Sequence, residues 1–422
     1  MLLDKIQPKR LFDLGFLHDK KLNGEISSNL RASFTHYLSV GSRNPTLYID
    51  NATTYVQKAI NYQVNDEVTL GVAENELQYL LFNDNRDIPF PPPTKAKFQF
   101  IDLFAGIGGI RMAFQNLGGE CIFSSEWDIF SQKTYEANYG ELPFGDLTKE
   151  ETKDQIPNDF DVLCAGFPCQ AFSIAGKRGG FDDIRGTMFF EVANIIKKHQ
   201  PKAFFLENVK GLLSHDKGKT LATILNVLRN DLGYFVPQPE VINAKFFGVP
   251  QNRERIYIIG YRKDQNIQSF KYPKPLDNQI SVSDILEKNE VSVKYYLSNR
   301  YLDTLIAHKE RHANKGNGFG YEIIQNDGIA NAVVCGGMGR ERNLLIDNRL
   351  TNFTPVTNIV GSVNRKGIRK MTPREWARLQ GFPDTFKIVV SDAQAYKQFG
   401  NSVAVPAVQA TAKALLNNMD IN

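Results

Sequence analysis

Phe98-Gln99-Phe100-Ile101-Asp102-Leu103-Phe104-Ala105-Gly106-Ile107-Gly108-Gly109 is the stretch that decides the fold of this 422-residue chain. It reads as an apolar strand running into a glycine turn. A helix follows, with apolar residues at Ile110, Ala113, Phe114 and Leu117. Such a turn lets backbone approach an anionic or polar ligand at the helix N-terminus. The dinucleotide fingerprint of dehydrogenases needs a further glycine at position 111, where this chain has Arg111. That argues against a nicotinamide cofactor and for another adenosine ligand. Glu126 lies 20 residues after Gly106, at the end of a second apolar segment, Cys121-Ile122-Phe123. An acid at that distance suits hydrogen bonding to a ribose diol. Trp127 beside it offers a face for adenine, and Asp146, after a third segment, an acceptor for an exocyclic amine.

Further along, Gly166-Phe167-Pro168-Cys169-Gln170-Ala171-Phe172-Ser173 places a thiol in a turn after the apolar run from Phe160 to Ala165. At the lip of a sheet, a helix N-terminus or a neighbouring cation favours the nucleophilic thiolate. Pro201-Lys202-Ala203-Phe204-Phe205-Leu206-Glu207-Asn208-Val209 reads as a buried strand ending in an acid. A partly desolvated carboxyl at a strand end has its pKa raised toward neutrality and donates a proton. Three more blocks follow: Gln251-Asn252-Arg253-Glu254-Arg255-Ile256-Tyr257, the run from Met371 to Pro383, and Gln398-Phe399-Gly400-Asn401-Ser402-Val403-Ala404-Val405-Pro406.

These six blocks, in this order over roughly residues 97 to 418, resemble the DNA (cytosine-5)-methyltransferases of bacterial restriction-modification systems. The resemblance implies an α/β fold: a Rossmann-like S-adenosylmethionine-dependent catalytic domain, a smaller loop-rich β recognition domain, and here an N-terminal extension. It implies Cys169 as nucleophile on C6 of a flipped cytosine, Glu207 as proton donor to N3, Arg255 on the cytosine O2, and Arg253 supporting it or the backbone. Cofactor contacts are expected at Phe104, Gly106, Gly108, Glu126, Trp127, Asp146, Pro168, Asn401, Ser402 and Val403, with S-adenosylhomocysteine as product and no metal. Gln170, Ser173 and Arg178 are expected on DNA, and the glycine-bearing loop from Ser173 to Arg185 is expected to close over it. Arg340 and Arg342, in Gly336-Gly337-Met338-Gly339-Arg340-Glu341-Arg342, are candidates for guanine contacts; solvated arginines on a tight turn are the alternative. Two positions depart from relatives: Ala332-Val333 stands where many have Thr before an aliphatic residue, and Ala175 where some have a serine that enters the vacated base stack. A tRNA methyltransferase of the same fold would be expected to carry a Cys-Phe-Thr motif, which this chain lacks. A binding protein that had lost catalysis would be expected to lose Cys169, Glu207 or the glycine turn, and all stand.

The expected units are 1–90, an extension of unknown role; 97–268, catalytic and cofactor-binding; 270–365, target recognition; and 366–422, returning to the catalytic domain. Alternating apolar strands and helical stretches predict a parallel sheet with helices on both faces over 97 to about 265. Pro89-Phe90-Pro91-Pro92-Pro93 reads as a stiff linker. Before it, Val68, Leu70, Val72, Leu77, Leu80 and Leu81 could form an amphipathic helix. Residues 1 to 95 hold 10 Lys+Arg against 11 Asp+Glu, which disfavours a strongly electrostatic DNA-binding arm; a packing or dimerisation module is preferred to a small helix-turn-helix. The net charge of +4 says little, but residues 271 to 370 hold 15 Lys+Arg against 10 Asp+Glu, which suits phosphate contact. Four cysteines without a CxxC pair indicate neither a zinc site nor a disulfide framework and fit a reducing cytoplasm. No apolar run reaches membrane-spanning length, and no secretory signal opens the chain. The expected partners are double-stranded DNA, bound as a monomer, and a cognate restriction endonuclease acting without a required complex; nucleoid association would follow from DNA binding.

Overall fold

The architecture comes from a computed structural model that describes residues 21, 24, 26–64, 67–84, 86–168, 187–277, 280–336, 338–356 and 359–419. Helices α1 (Ser28–Val40), α2 (Ile49–Val64) and α3 (Leu70–Phe82) come first. The α/β region follows with β1 (Phe98–Leu103), α4 (Gly109–Gln115), β2 (Gly119–Ser125), α5 (Ile129–Tyr139), α6 (Glu150–Lys153), β3 (Val162–Gly166), α7 (Met188–His199), β4 (Ala203–Val209) and α8 (Lys219–Asn226). Then come β5 (Glu240–Asn243), β6 (Gln251–Asn252), β7 (Glu254–Tyr261), α9 (Asn299–Ala313), β8 (Ala330–Asn331), β9 (Leu344–Ile346) and β10 (Ile368–Lys370). Helices α10 (Pro373–Leu379), α11 (Asp392–Asn401) and α12 (Val405–Asn418) close the chain.

The main sheet among the described residues runs β2-β1-β3-β4-β7-β5. Strands β1 to β4 pair in parallel, as the alternating pattern predicts, and β7 runs antiparallel to both β4 and β5. The reversal has a simple cause. The chain between Asn243 and Glu254 is too short for the helical crossover that a parallel return requires.

Strand alternation sorts the apolar residues into two cores. Phe98, Phe100, Cys121, Val162, Cys164, Ala203 and Phe205 face α4 and α12, and Phe114 meets Phe100 and Phe205 with ring centroids 5.4 and 5.2 Å apart. Ile101, Leu103, Ile122, Leu163, Ala165, Phe204 and Leu206 face the opposite way, against α7 and α8. Burial on both faces explains why β1 to β4 read as nearly continuous apolar runs. Local signals set the helix starts. The Asp128 carboxylate accepts from the Phe130 and Ser131 N–H groups at α5, and the Thr187 hydroxyl from Phe190 N–H at α7. At α10, Thr372 and Glu375 form a reciprocal capping box behind Pro373.

The N-terminal helices hold a core of their own, including Phe34, Tyr37, Tyr55, Ile60 and Leu77. They also cover the β2 edge of the sheet, where the Tyr48 hydroxyl donates to the Ile122 carbonyl at 2.9 Å. Every residue of β2 is buried although the strand lies at an edge, an arrangement that shields an otherwise open ladder. The Pro89–Pro93 run, expected as a linker, is docked. Phe90 N–H donates to the Asn138 carbonyl, its ring packs near Tyr139 and Phe386, and the Gln115 amide donates to the carbonyls of Phe90 and Pro91. The region after 270 is less uniformly loop and strand than expected. It carries the 15-residue helix α9, and its β9 pairs antiparallel with β10, beyond residue 365.

Candidate active site

Strand order reverses beside β1, because the chain passes from β1 to β2 on one side and resumes at β3 on the other. Open α/β sheets bind ligands in the crevice at such a point, beyond the carboxyl ends of the strands. A cleft of about 730 Å³ opens there. It is lined by Phe104, Gly106, Glu126, Trp127, Asp146, Pro168, Glu207, Arg253, Arg255, Asn401, Ser402 and Val403, so most of the residues singled out in the sequence meet around one space.

The glycine turn forms its first wall. Phe104, Gly106 and Gly108 take positive φ of 56°, 56° and 83°. Nothing lies within 4 Å of where a Gly106 Cβ would stand, so the backbone there faces open space that a ligand can approach. Gly108 is not on the cleft. It packs beneath it, its carbonyl accepting from the Tyr139 hydroxyl at 2.7 Å. Glu126, at the end of β2, is nearly buried, and its carboxylate accepts from Gly106 N–H at 2.8 Å and from Asp128 N–H at 2.7 Å. It therefore fixes the turn relative to α5, and burial raises its pKa. Trp127 is 76% exposed, its ring available for stacking. Asp146 is half-buried, and its Oδ1 accepts from the Thr148 N–H and hydroxyl, both at 2.9 Å.

The second wall holds the acid. Glu207 lies near the end of β4 in register with Gly166 of β3, and its Oε2 would lie 3.6 Å from a Cβ at Gly166. Arg255 Nε stands 3.0 Å from Glu207 Oε1. Burial pushes the Glu207 carboxyl above the ordinary carboxylate range, opposed by the charges of Arg255 and Arg253. A carboxyl so placed retains a proton to higher pH than an exposed one. Asn208 donates to the Phe167 carbonyl at 2.8 Å and so ties β4 to the segment leading into Cys169. Pro168 is exposed at the cleft edge, while Cys169, Gln170, Ser173, Ala175 and Arg178 lie outside the described residues, as does the rest of the loop to Arg185.

Arg253 lines the cleft but is almost wholly buried, its guanidinium engaged with backbone. It donates to the carbonyls of Val333 at 2.7 Å, Gly400 at 3.2 Å and Ser402. It thereby staples the chain after β8 to the loop between α11 and α12, where Asn401 is exposed and Val403 buried. Arg340 and Arg342 are exposed and do not line the cleft. Arg340 lies over the Tyr396 ring, and Arg342 pairs with Glu322 at 3.4 Å. Among the other lining residues, Cys335, Lys397 and Asn208 had no role assigned from the sequence. Cys335 reaches the cleft because Gly400 allows its backbone to approach, and Lys397 bridges to Asp128 at 2.6 Å. Asn208 stood inside a recognised block and could have been found there as a hydrogen-bonding neighbour of Glu207.

The family model for C-5 cytosine-specific DNA methylases matches residues 98–417. The chain belongs to that family. It is 70% identical over 346 residues to Type II methyltransferase M.HpaII of Haemophilus parainfluenzae, covering 82% of this chain and 96% of that protein. It is 47% identical over 336 residues to Type II methyltransferase M.SsoII of Shigella sonnei, covering 79% of this chain and 83% of that one. The fold is shared with the S. pombe Dnmt2 methyltransferase, at a TM-score of 0.58 and 17% identity over 76% of this chain and 99% of that one. The methylase is therefore a transferase that uses S-adenosylmethionine to methylate C5 of cytosine in DNA. The cleft suits that cofactor: open space before the Gly106 backbone, an acid on the adjoining strand and an exposed indole beside it. Among the described residues no helix is long and apolar enough to cross a membrane.

Proposed function

We propose that this methylase modifies one cytosine within a specific double-stranded site, protecting DNA from a partner endonuclease, and that the cleft at the ends of β1 to β4 holds both cofactor and flipped base. The observation that carries this reading is the meeting of Gly106, Glu126 and Trp127 with Glu207 and Arg255 around one cleft. The monomer acts on DNA without a complex with the nuclease, in the cytoplasm and on the nucleoid.

S-adenosylmethionine, when bound along Gly106, Glu126, Trp127 and Asp146, supplies an electrophilic methyl group. C5 of cytosine is a poor nucleophile, and the protein's own groups change that. The Cys169 thiolate adds to C6 and breaks the aromaticity. Glu207, whose raised pKa leaves it a proton to share, relieves the charge that develops at N3. Arg255 holds Glu207 in place and presents its remaining N–H groups to the base oxygen. Once C5 is methylated, loss of its proton and departure of Cys169 restore the ring. Arg253 acts through the backbone it staples rather than on the base.

Cys169→Ser should abolish methyl transfer, because the hydroxyl is a far weaker nucleophile at neutral pH, while leaving cofactor binding near normal. Tritiated methyl incorporation into DNA, run beside calorimetric titration with S-adenosylmethionine, checks both. Activity within about tenfold of wild type would remove Cys169 from the role.

A further inference from the structure

Helices α1 to α3 precede the stretch that the family model matches, which begins at residue 98. They are nonetheless fastened to the wall that carries Glu126 and Asp128. Arg31 of α1 pairs with Glu136 of α5 at 2.6 Å. Arg43 Nε stands 2.5 Å from Glu120 of β2, and Asn51 of α2 donates to the Gln155 side chain at 2.8 Å. The Thr35 hydroxyl accepts from Leu142 N–H at 2.9 Å, inside the interface. Beside it, the buried His36 lies 3.5 Å from Glu141.

Glu141 is the link inward. It forms a two-pronged buried ion pair with Arg111 of α4, at 2.5 and 2.7 Å. The Arg111 guanidinium lies 4.5 Å from the centre of the Tyr139 ring and also bonds the Tyr135 hydroxyl at 3.0 Å. The Tyr139 hydroxyl in turn holds the Gly108 carbonyl of the glycine turn. The residue that excluded a dinucleotide fingerprint thus joins the extension to the turn through an unbroken set of buried contacts. An arginine–carboxylate pair without solvent holds its geometry only if both partners stay fixed, and breaking one leaves an uncompensated charge.

We infer that the N-terminal helices position the cofactor turn: Arg31, Arg43, Thr35 and His36 fix α5 and the Glu141 segment, and Glu141 with Arg111 fixes Tyr139 against Gly108. The inference rests on assigning S-adenosylmethionine to the Gly106 turn. Coupling between two parts of a protein is reciprocal, so cofactor binding must also tighten the extension.

Amide hydrogen exchange on the full wild-type chain, with and without S-adenosylhomocysteine, tests this without a variant that could fail to fold. Slower exchange is expected both in 104–109 and 126–128 and in α1, none of whose residues lines the cleft. Protection of the turn with α1 unchanged would overturn the inference and leave the cofactor site standing. No protection at the turn would overturn the site assignment, and the inference with it. The second measurement is steady-state kinetics of Arg31→Glu. KM for S-adenosylmethionine should rise about fivefold, with kcat at saturating cofactor and KM for DNA within about twofold of wild type. Adding Glu136→Arg should restore most of the loss. An unchanged KM for the cofactor, or equal losses for cofactor and DNA, would contradict the positioning role.

Discussion

Asp102 is fully buried on β1, and neither of its carboxylate oxygens has a hydrogen-bond partner among the described residues. Burial pushes its pKa up to about 7, while the positive charge of nearby Arg111 pulls the other way. The consequence for stability has a definite sign. The folded chain keeps this proton to about 7, whereas the unfolded chain releases it near 4, so stability falls as pH rises between those values and is level above. The shift corresponds to roughly 4 kcal/mol at most. Asp102→Asn should therefore melt above wild type at pH 8 and lose that advantage toward pH 4. Thermal unfolding of both proteins across the range checks it; a wild type that is the more stable at pH 8 would mean that the Asp102 charge is compensated.

The glycine turn shows how one element is held from behind. A Cβ on Gly108 would lie 2.3 Å from the Tyr139 ring, and φ there is 83°. Gly108→Ala has to displace that ring and adopt a left-handed conformation, which costs about 1–3 kcal/mol from each source. Urea unfolding should show the loss, and S-adenosylmethionine should bind more weakly because the Tyr139 contact is broken. Unaltered stability with unaltered binding would mean that Tyr139 does not support the turn. Most of this element was legible in the sequence, because strand, glycine spacing and helix period all lie within one short stretch. The tyrosine behind it was not. Tyr139 meets Gly108 only after the chain has crossed β2 and α5, and no local pattern encodes that contact. Arg253 carries the same lesson: its block leaves open whether it supports Arg255 or the backbone, and only the folded chain brings it to the carbonyls of Val333 and Gly400.

Across the whole molecule, the parallel order of β1 to β4 and the gathering of Phe104, Glu126, Asp146, Glu207 and Arg255 at one end of the sheet followed from ordered motifs. What was illegible depends on contacts between distant segments: the antiparallel β7, helix α9 with its few buried apolar positions, and the seating of α1 and α2 on β2. Balanced charge in the extension hid its role, because Arg31 and Arg43 face acids on the catalytic fold and not solvent. The central claim is that this cleft carries a cytosine through covalent attachment to the chain. Incubating the protein with S-adenosylmethionine and duplex DNA containing 5-fluorocytosine blocks the final loss of the C5 substituent and should leave a protein–DNA adduct that survives denaturation. Mass spectrometry of the proteolysed adduct is predicted to place the modified base on Cys169, with none formed by Cys169→Ser. An adduct on another residue, or methylated DNA with no adduct at all, would contradict the account.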